Sequence, residues 1–418
     1  MPDLSFTGLV IVAAVAFAAP LLLGLFPRVR LPAVVLEIVL GIVIGPSVLN
    51  WVQPDLAIRV LALLGLAFLL LLAGLEVDLE RLRGRLLELA GSGFAMSVVL
   101  AVAIGAALQA TGQVRSAGFV AIVLLATSLG LVVPVLKDAG LVESEFGQLV
   151  VAGGTLADFG AVILLSLFYS KESAGTGTRA VLLGVFVLLL AVIGLAVSRA
   201  GRNMQLSDVL LRLQDTTAQI RVRGSVVLLV GFVALAERFG LETILGAFMA
   251  GVILRLIDRD AMMTHPHFRT KLEGIGYGFL IPVFFVNSGI TFSGGALFSS
   301  TSTILRVPLF LAALLVVRGL PALAYRRVAT PRRVVAAGLL QATSLPFIVA
   351  ATQIGMDIGT ITQATGAAFV AAGLLSVLIF PLVAVTLLKG EPGEAAVAAG
   401  SGREVSDSPE PGSPSGPR

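Results

Sequence analysis

Long apolar runs alternate with short polar breaks along almost the whole chain. The runs are Leu-, Val- and Ala-rich with scattered Gly, and most reach the roughly 20 residues a helix needs to cross a hydrocarbon core about 30 Å thick. They do not read as the ten-residue alternating strands of a membrane barrel. The pattern predicts thirteen spans, at about 5–26, 31–48, 56–75, 87–111, 115–137, 146–169, 179–198, 222–238, 241–257, 271–292, 303–325, 333–355 and 359–388. Met1–Gly24 carries Asp3 and lacks a positive leading region, so it reads as a retained first span, not a signal peptide. The expected class is an all-α polytopic membrane protein.

Charge in the breaks supports the count. Breaks after odd-numbered spans hold Arg28 and Arg30; Arg81, Arg83 and Arg85; Lys137; Arg199 and Arg202; Arg255, Arg259 and Arg269; then Arg326, Arg327 and Arg332. Those after even-numbered spans hold little beyond Arg59, Arg115, Lys171, Arg179, Arg238 and Arg306. By the positive-inside rule the basic breaks and the C-terminus are cytoplasmic and the N-terminus is outside. A missed span would scramble this alternation. Within the basic connection Ser198–Arg223, the stretch Met204–Ile220 has the spacing of an interfacial helix, with a plain linker as the alternative. Residues 389–418 turn to Glu, Gly, Pro and Ser and predict a disordered cytoplasmic tail. No strand–GxGxxG–helix pattern follows the last span, so no nucleotide-binding regulatory domain is expected there.

Composition narrows the function. Of 418 residues, 57% are hydrophobic and 13% charged, which no soluble domain matches. Cysteine is absent, which removes disulfides, thiol catalysis and cysteine-held metals. The isoelectric point near 9.8 comes from arginines in the breaks, so nucleic acid is not an expected partner. No cofactor is expected.

Chemistry then rests on the few polar groups inside spans. Asp158 lies mid-span in GQLVVAGGTLADFGAVILLSLF, where a carboxylate is costly and marks an ion or proton pathway; a protonated structural Asp is the plainer reading. Gly153, Gly154, Ala157 and Gly160 around it allow backbones and a hydrated ion to come close. Thr155, one helical turn away, is the extra ligand that spacing suggests. Arg318, in LFLAALLVVRGLPALAY, needs an acid or must snorkel, and an Asp158–Arg318 pair is expected. Glu37, Gln341 and Asn287 are possible secondary groups, each with an ordinary helix–helix bond as the alternative. Glu76, Asp78, Glu80, Glu143, Glu145, Glu237 and Glu273 fall at span ends and read as solvated. His265 and His267 make a poor metal site and read as a surface turn.

An internal echo places the site. Span five contains Ala-Thr-Ser-Leu at Ala126–Leu129, then Pro134; span twelve contains it at Ala342–Leu345, then Pro346. The two spans lie seven apart, so they run in opposite directions, and each precedes one long span. That is the arrangement of an inverted-topology repeat with broken helices crossing near the midplane. Thr127, Ser128, Thr343 and Ser344, with the two prolines, would weaken both helices and free oxygen ligands. Two merely kinked helices are the plainer reading.

At these residues the chain resembles the monovalent cation:proton antiporter-2 family of bacterial sodium/proton and potassium/proton exchangers. The matching stretches are LPAVVLEIVLGIVIGPSVLN, FLLLLAGLEVDLERLR, ATSLGLVVPVLKDAGLVESEFGQLVVAGGTLADFGAV, AERFGLETILGAFMAGVILR and LEGIGYGFLIPVFFVNSGI, in the family's order over about residues 5–388. The resemblance implies a homodimer in the bacterial cytoplasmic membrane, each protomer having a transmembrane domain over 1–388. Its core would fall at about 87–169 and 303–388, and its dimerisation region at about 5–75 and 179–292. The family's key acid falls on Asp158 and its basic residue on Arg318. Sodium-selective electrogenic relatives have a second acid where this chain has Ala157, and often Lys where it has Arg318. That departure implies one-for-one electroneutral exchange of Na+ or K+ for H+, with Asp158, Thr127, Ser128 and Thr155 in the oxygen shell of the transported cation. An organic-anion transporter on the same scaffold, with Arg318 as counter-charge, is the alternative; a channel or a membrane-embedded enzyme has less behind it.

Overall fold

The computed structural model describes residues 6–25, 32–77, 84–142, 144–169, 176–201, 219–257, 267–327 and 329–388. Among these, every regular element is a helix. In chain order they are α1 (Phe6–Leu25), α2 (Ala33–Ile44), α3 (Leu56–Glu76), α4 (Gly84–Ala110), α5 (Ala117–Leu125), α6 (Leu129–Asp138), α7 (Glu145–Phe168) and α8 (Thr176–Gly201). Then come α9 (Ile220–Arg238), α10 (Thr243–Ile257), α11 (Phe268–Ile290), α12 (Thr301–Arg327), α13 (Pro331–Gln341), α14 (Pro346–Asp357) and α15 (Gln363–Leu388), with a single helical turn, Gly294–Leu297, between α11 and α12. Seven of the described helices, and α13 with α14 taken together, are long and apolar enough to cross a membrane. Each of the thirteen sequence-predicted spans coincides with one helix or, for the fifth and twelfth, with a pair of half-helices: α5 with α6, and α13 with α14. The tail, most of Met204–Ile220, Asp78, Glu80, Glu143 and His265 lie outside the described residues.

Polar residues in the breaks start the helices. Asp55 accepts from the Ile58 amide at the head of α3 (2.9 Å), Ser116 from Phe119 at the head of α5, and Ser144 from Gly147 at the head of α7. Thr330 caps α13, and Pro331 fills its first position, where a missing N–H costs nothing.

Both Ala-Thr-Ser-Leu segments interrupt their helices. Ala126 and Ser128 are non-helical between α5 and α6, and Leu345 is non-helical just before α14. The Ser128 amide donates to the Thr343 carbonyl (2.8 Å), so the unwound segments touch. Pro346 opens α14, whereas Pro134 lies inside α6 and takes no part in the break, against expectation.

Packing outside the breaks relies on bare backbone. A Cβ on Gly74 would collide with the Phe248 carbonyl, and one on Gly251 with the Leu71 carbonyl, so α3 and α10 touch main chain to main chain. Gly41 and Gly289 do the same for α2 and α11. Around the breaks, α4 packs on α5 and α7, and α15 packs on α12, α13 and α14. Two π-turns interrupt long helices, Gly276–Leu280 in α11 and Leu315–Gly319 in α12. The second carries Arg318, and such bulges re-aim side chains at functional sites.

Candidate functional site

The first break exists because Thr127 and Ser128 offer side-chain oxygens that compete with helical bonding, and because neighbours take up the freed groups. The Thr127 amide donates to Asp158 Oδ1 (2.9 Å), and the Leu129 amide also faces that carboxylate. Leu129 is the first residue of α6, so the positive end of a helix faces the acid, with the Thr127 amide of the break beside it. The Thr127 hydroxyl donates to the Gln341 carbonyl (2.7 Å) and accepts from Arg318 Nε (3.0 Å). One residue therefore joins the acid, the arginine and the second broken span.

Arg318 is 1% exposed and has its guanidinium bonded on three sides. Besides Thr127 it donates to Ser97 Oγ (3.0 Å) and to the Gly153 carbonyl (3.1 Å). It neither snorkels nor forms the expected ion pair. Among the described residues, no Arg or Lys nitrogen reaches ion-pair distance of Asp158. The reason is Thr127: its backbone and hydroxyl lie between the two charges. Asp158 keeps its charge partner close, and no cationic group covers its carboxylate oxygens.

Those oxygens face a cavity of about 80 Å³, room for several waters. Thr127, Ser128, Leu129, Pro346 and Phe347 line it at the crossing. From there it extends to Glu76 at the end of α3 and Tyr277 near the start of α11. A larger cavity, about 520 Å³, lies past the crossing toward Arg59 and Thr291, at the opposite ends of α3 and α11. Asp158 lines the first and not the second.

Other expected site residues separate. Thr155 is buried but does not line the Asp158 cavity; Val162, one turn the other way along α7, does. The Thr127 hydroxyl is committed to Gln341 and Arg318, so it holds the frame of the site in place of the expected ligand role. Ser128 lines the cavity as expected. The Thr343 hydroxyl bonds back to Leu339 O (3.1 Å), and Ser344 Oγ is buried without a partner. Gln341 Nε2 donates to the Tyr325 hydroxyl (2.9 Å), a structural contact. Asn287 belongs to the larger cavity, its Oδ1 buried and unbonded. Glu37 is 4% exposed, lines neither cavity, and has no hydrogen bond to a described residue. The small residues of α7 admit protein, not an ion: Gly153 faces Gln341 and Tyr325, Gly154 faces Leu129, and Gly160 sits under the Phe94 ring.

Three participants escaped the sequence reading. Ser97 is a lone hydroxyl in an apolar run, and Tyr325 a ring at a span end. Glu76 was expected to be solvated; instead its side chain is only 16% exposed and lines the Asp158 cavity. The polar stretch that follows it in the sequence gave no sign of this, because the wall that buries it comes from α11.

The chain is similar to known proteins over most of its length. Residues 13–390 match the family model described as sodium/hydrogen exchanger, transmembrane. YjbQ of Bacillus subtilis (strain 168), provisionally named a Na(+)/H(+) antiporter, is 30% identical over 406 residues, 94% of this chain; the chain spans 64% of YjbQ's own length. The Na(+)/H(+)-K(+) antiporter GerN of Bacillus cereus is 28% identical over 293 residues, 68% of this chain and 72% of GerN. The structure of the sodium proton antiporter MjNhaP1 from Methanocaldococcus jannaschii superposes with a TM-score of 0.59, covering 92% of this chain and 99% of that one at 16% identity, which establishes the shared fold.

Proposed function

Because the chain belongs to the sodium/hydrogen exchanger transmembrane family, a family of multi-pass membrane transporters, we propose that it exchanges a monovalent cation, Na+ or K+, for H+ through Asp158. The observation that carries this is the Asp158 carboxylate itself. It is gripped on one side by amides of an unwound helix, faces a water-sized cavity on the other, and has no cationic side chain directly upon it. Such a group can hold either a proton or a small cation, but not both. Competition for one carboxylate then couples the two flows without a separate gate.

In this cycle Asp158 loses its proton into the cavity and takes up the cation, with Ser128 and freed backbone carbonyls of the breaks completing an oxygen shell. Alternating access moves the helices around the breaks, at about 87–169 and 303–388, against the glycine-packed helices at about 5–75 and 179–292. The Asp158 cavity then closes and the larger cavity past the crossing opens to the site. By the positive-inside argument the Asp158 cavity is the cytoplasmic one, because it ends where α3 meets the basic break around Arg81–Arg85. Arg318 stays protonated throughout. With one titrating acid and no acid at Ala157, exchange is one for one and electroneutral. Two copies form the working dimer in the cytoplasmic membrane.

The organic-anion alternative gains nothing from the site. Its counter-charge would be Arg318, whose guanidinium is spent on Thr127, Ser97 and Gly153, while the cavity presents a carboxylate. The deciding experiment uses everted vesicles with an imposed acid-inside gradient. Sodium, potassium, lithium and rubidium salts, and one organic salt, are added in turn while dye fluorescence follows the gradient. Collapse by sodium or potassium, absent in Asp158→Asn, is the expected result and names the cation. Collapse by the organic salt alone, or normal exchange by Asp158→Asn, overturns the reading.

A further inference from the structure

The Asp158 cavity has a second carboxylate, Glu76, which the exchange cycle above does not use. Glu76 is the last residue of α3, where the helix presents its negative end. An acid is unfavourable there for stability alone, and a cation is favoured. Its obvious partner is Arg269 of α11, yet Glu76 Oε1 stands 3.7 Å from Arg269 Nη2, too far for a hydrogen bond. Arg269 instead donates from Nε to Glu273, one turn along its own helix, at 2.6 Å. Arg269 is also 55% exposed, so its attraction for Glu76 is screened by solvent. Glu76 Oε2 is buried and accepts no hydrogen bond. Leaving a carboxylate oxygen desolvated and unpaired is costly unless something fills the place. The wall beside it carries the Tyr277 hydroxyl, which reaches across to α6: a Cβ on Gly130 would lie 3.6 Å from that oxygen. A carboxylate, a phenol oxygen and a helix C-terminus thus face one passage that ends at Asp158.

We propose that Glu76 is a cation-capture subsite, holding a partly hydrated Na+ or K+ at the mouth of the cavity before it moves on to Asp158. The assignment rests on the antiport reading for the destination of the ion, not for the existence of the subsite. Glu76 concentrates cations on one face of the protein only. It therefore governs apparent affinity from that face and leaves the turnover step to Asp158. Arg269 is its competitor, so removing Arg269 strengthens capture.

The test compares wild type, Glu76→Gln, Glu76→Asp and Arg269→Gln as full-length protein in proteoliposomes. Sodium or potassium chloride is applied from each face in turn. A focused negative site raises local cation concentration by a factor of about ten or more. Glu76→Gln is therefore expected to raise KM about tenfold from one face, with the maximal rate held and KM from the other face unchanged. Glu76→Asp keeps most of the affinity, and Arg269→Gln lowers KM from the same face. Radiolabelled sodium and rubidium binding to the detergent-purified protein is the second readout, and Glu76→Gln is expected to weaken it. If wild type binds these ions through Glu76 yet moves no protons against them, the antiport reading falls and the subsite stands. An unchanged KM in Glu76→Gln, an equal change from both faces, a loss of maximal rate alone, or a rise in KM in Arg269→Gln overturns the subsite. The last outcome would make Glu76 and Arg269 a structural pair.

Discussion

The two broken helices carry the same four residues and use them differently. At the first break, the Thr127 amide meets Asp158, 31 residues on. At the second, the Ser344 amide meets the Ser376 hydroxyl, 32 residues on (3.2 Å), and that hydroxyl returns a bond to the Ser344 carbonyl (3.0 Å). Each break is thus held by the long helix that follows it, α7 in one half and α15 in the other. One anchor is a carboxylate open to a cavity, and the other is a buried serine that closes on itself. The break is a local property of Thr and Ser in an apolar helix. In the proposed exchange, whether a break serves as an ion site depends on which side chain the partner helix brings, and only one half brings an acid.

Four substitutions test this asymmetry, from the largest expected effect to the smallest. Asp158→Asn keeps the shape of the anchor and removes its ability to trade a proton for a cation. Exchange in vesicles should fall to background while the protein still inserts and purifies as a folded species. Arg318→Gln strips donors from Ser97, Thr127 and the Gly153 carbonyl at once. Leaving several buried acceptors without their donor costs about 3 kcal/mol or more in total. Thermal unfolding in detergent should show the loss, with Arg318→Lys in between because an ammonium cannot match the three-way geometry.

Thr127→Val leaves the amide on Asp158 but cuts the links to Gln341 and Arg318, orphaning a buried carbonyl. A stability loss of about 1–3 kcal/mol is expected, with most of it recovered in Thr127→Ser. A Thr127→Val protein as stable as Thr127→Ser would show that the hydroxyl does not tie the two breaks together. Ser376→Ala is the control in the other half. It removes the anchor of the second break, so stability should fall by about 1 kcal/mol while KM for the cation stays put. A large change in KM there would mean that both breaks shape the ion site and the asymmetry is only apparent.

Much of this is legible in the amino-acid sequence. The spans announce themselves because each run must satisfy its own backbone in lipid, so length and polarity alone delimit them. The two breaks were legible as well, since Ala-Thr-Ser-Leu recurs in opposite orientations and its hydroxyls compete with helical bonding. Asp158 stood out because a charge at membrane depth is rarely idle.

What the sequence could not settle is who meets whom. The cost of an intramembrane charge pointed to an Asp158–Arg318 pair but could not foresee Thr127 between them. Helical spacing proposed Thr155 for the cavity, yet the orientation of α7 was set by Gly153 and Gly154 packing under α13, Tyr325 and α6, which turned Val162 to the cavity instead. Glu76 looked solvated because its own flank is polar; α11 folds over it from two hundred residues away. The sequence by itself determined the all-helical membrane fold, the positions of its breaks and the acid at its centre, since backbone satisfaction and the cost of charge act locally. Only the tertiary structure decided which groups hold that acid, which leave it open, and which second carboxylate shares its cavity, because those depend on contacts between helices distant in the chain.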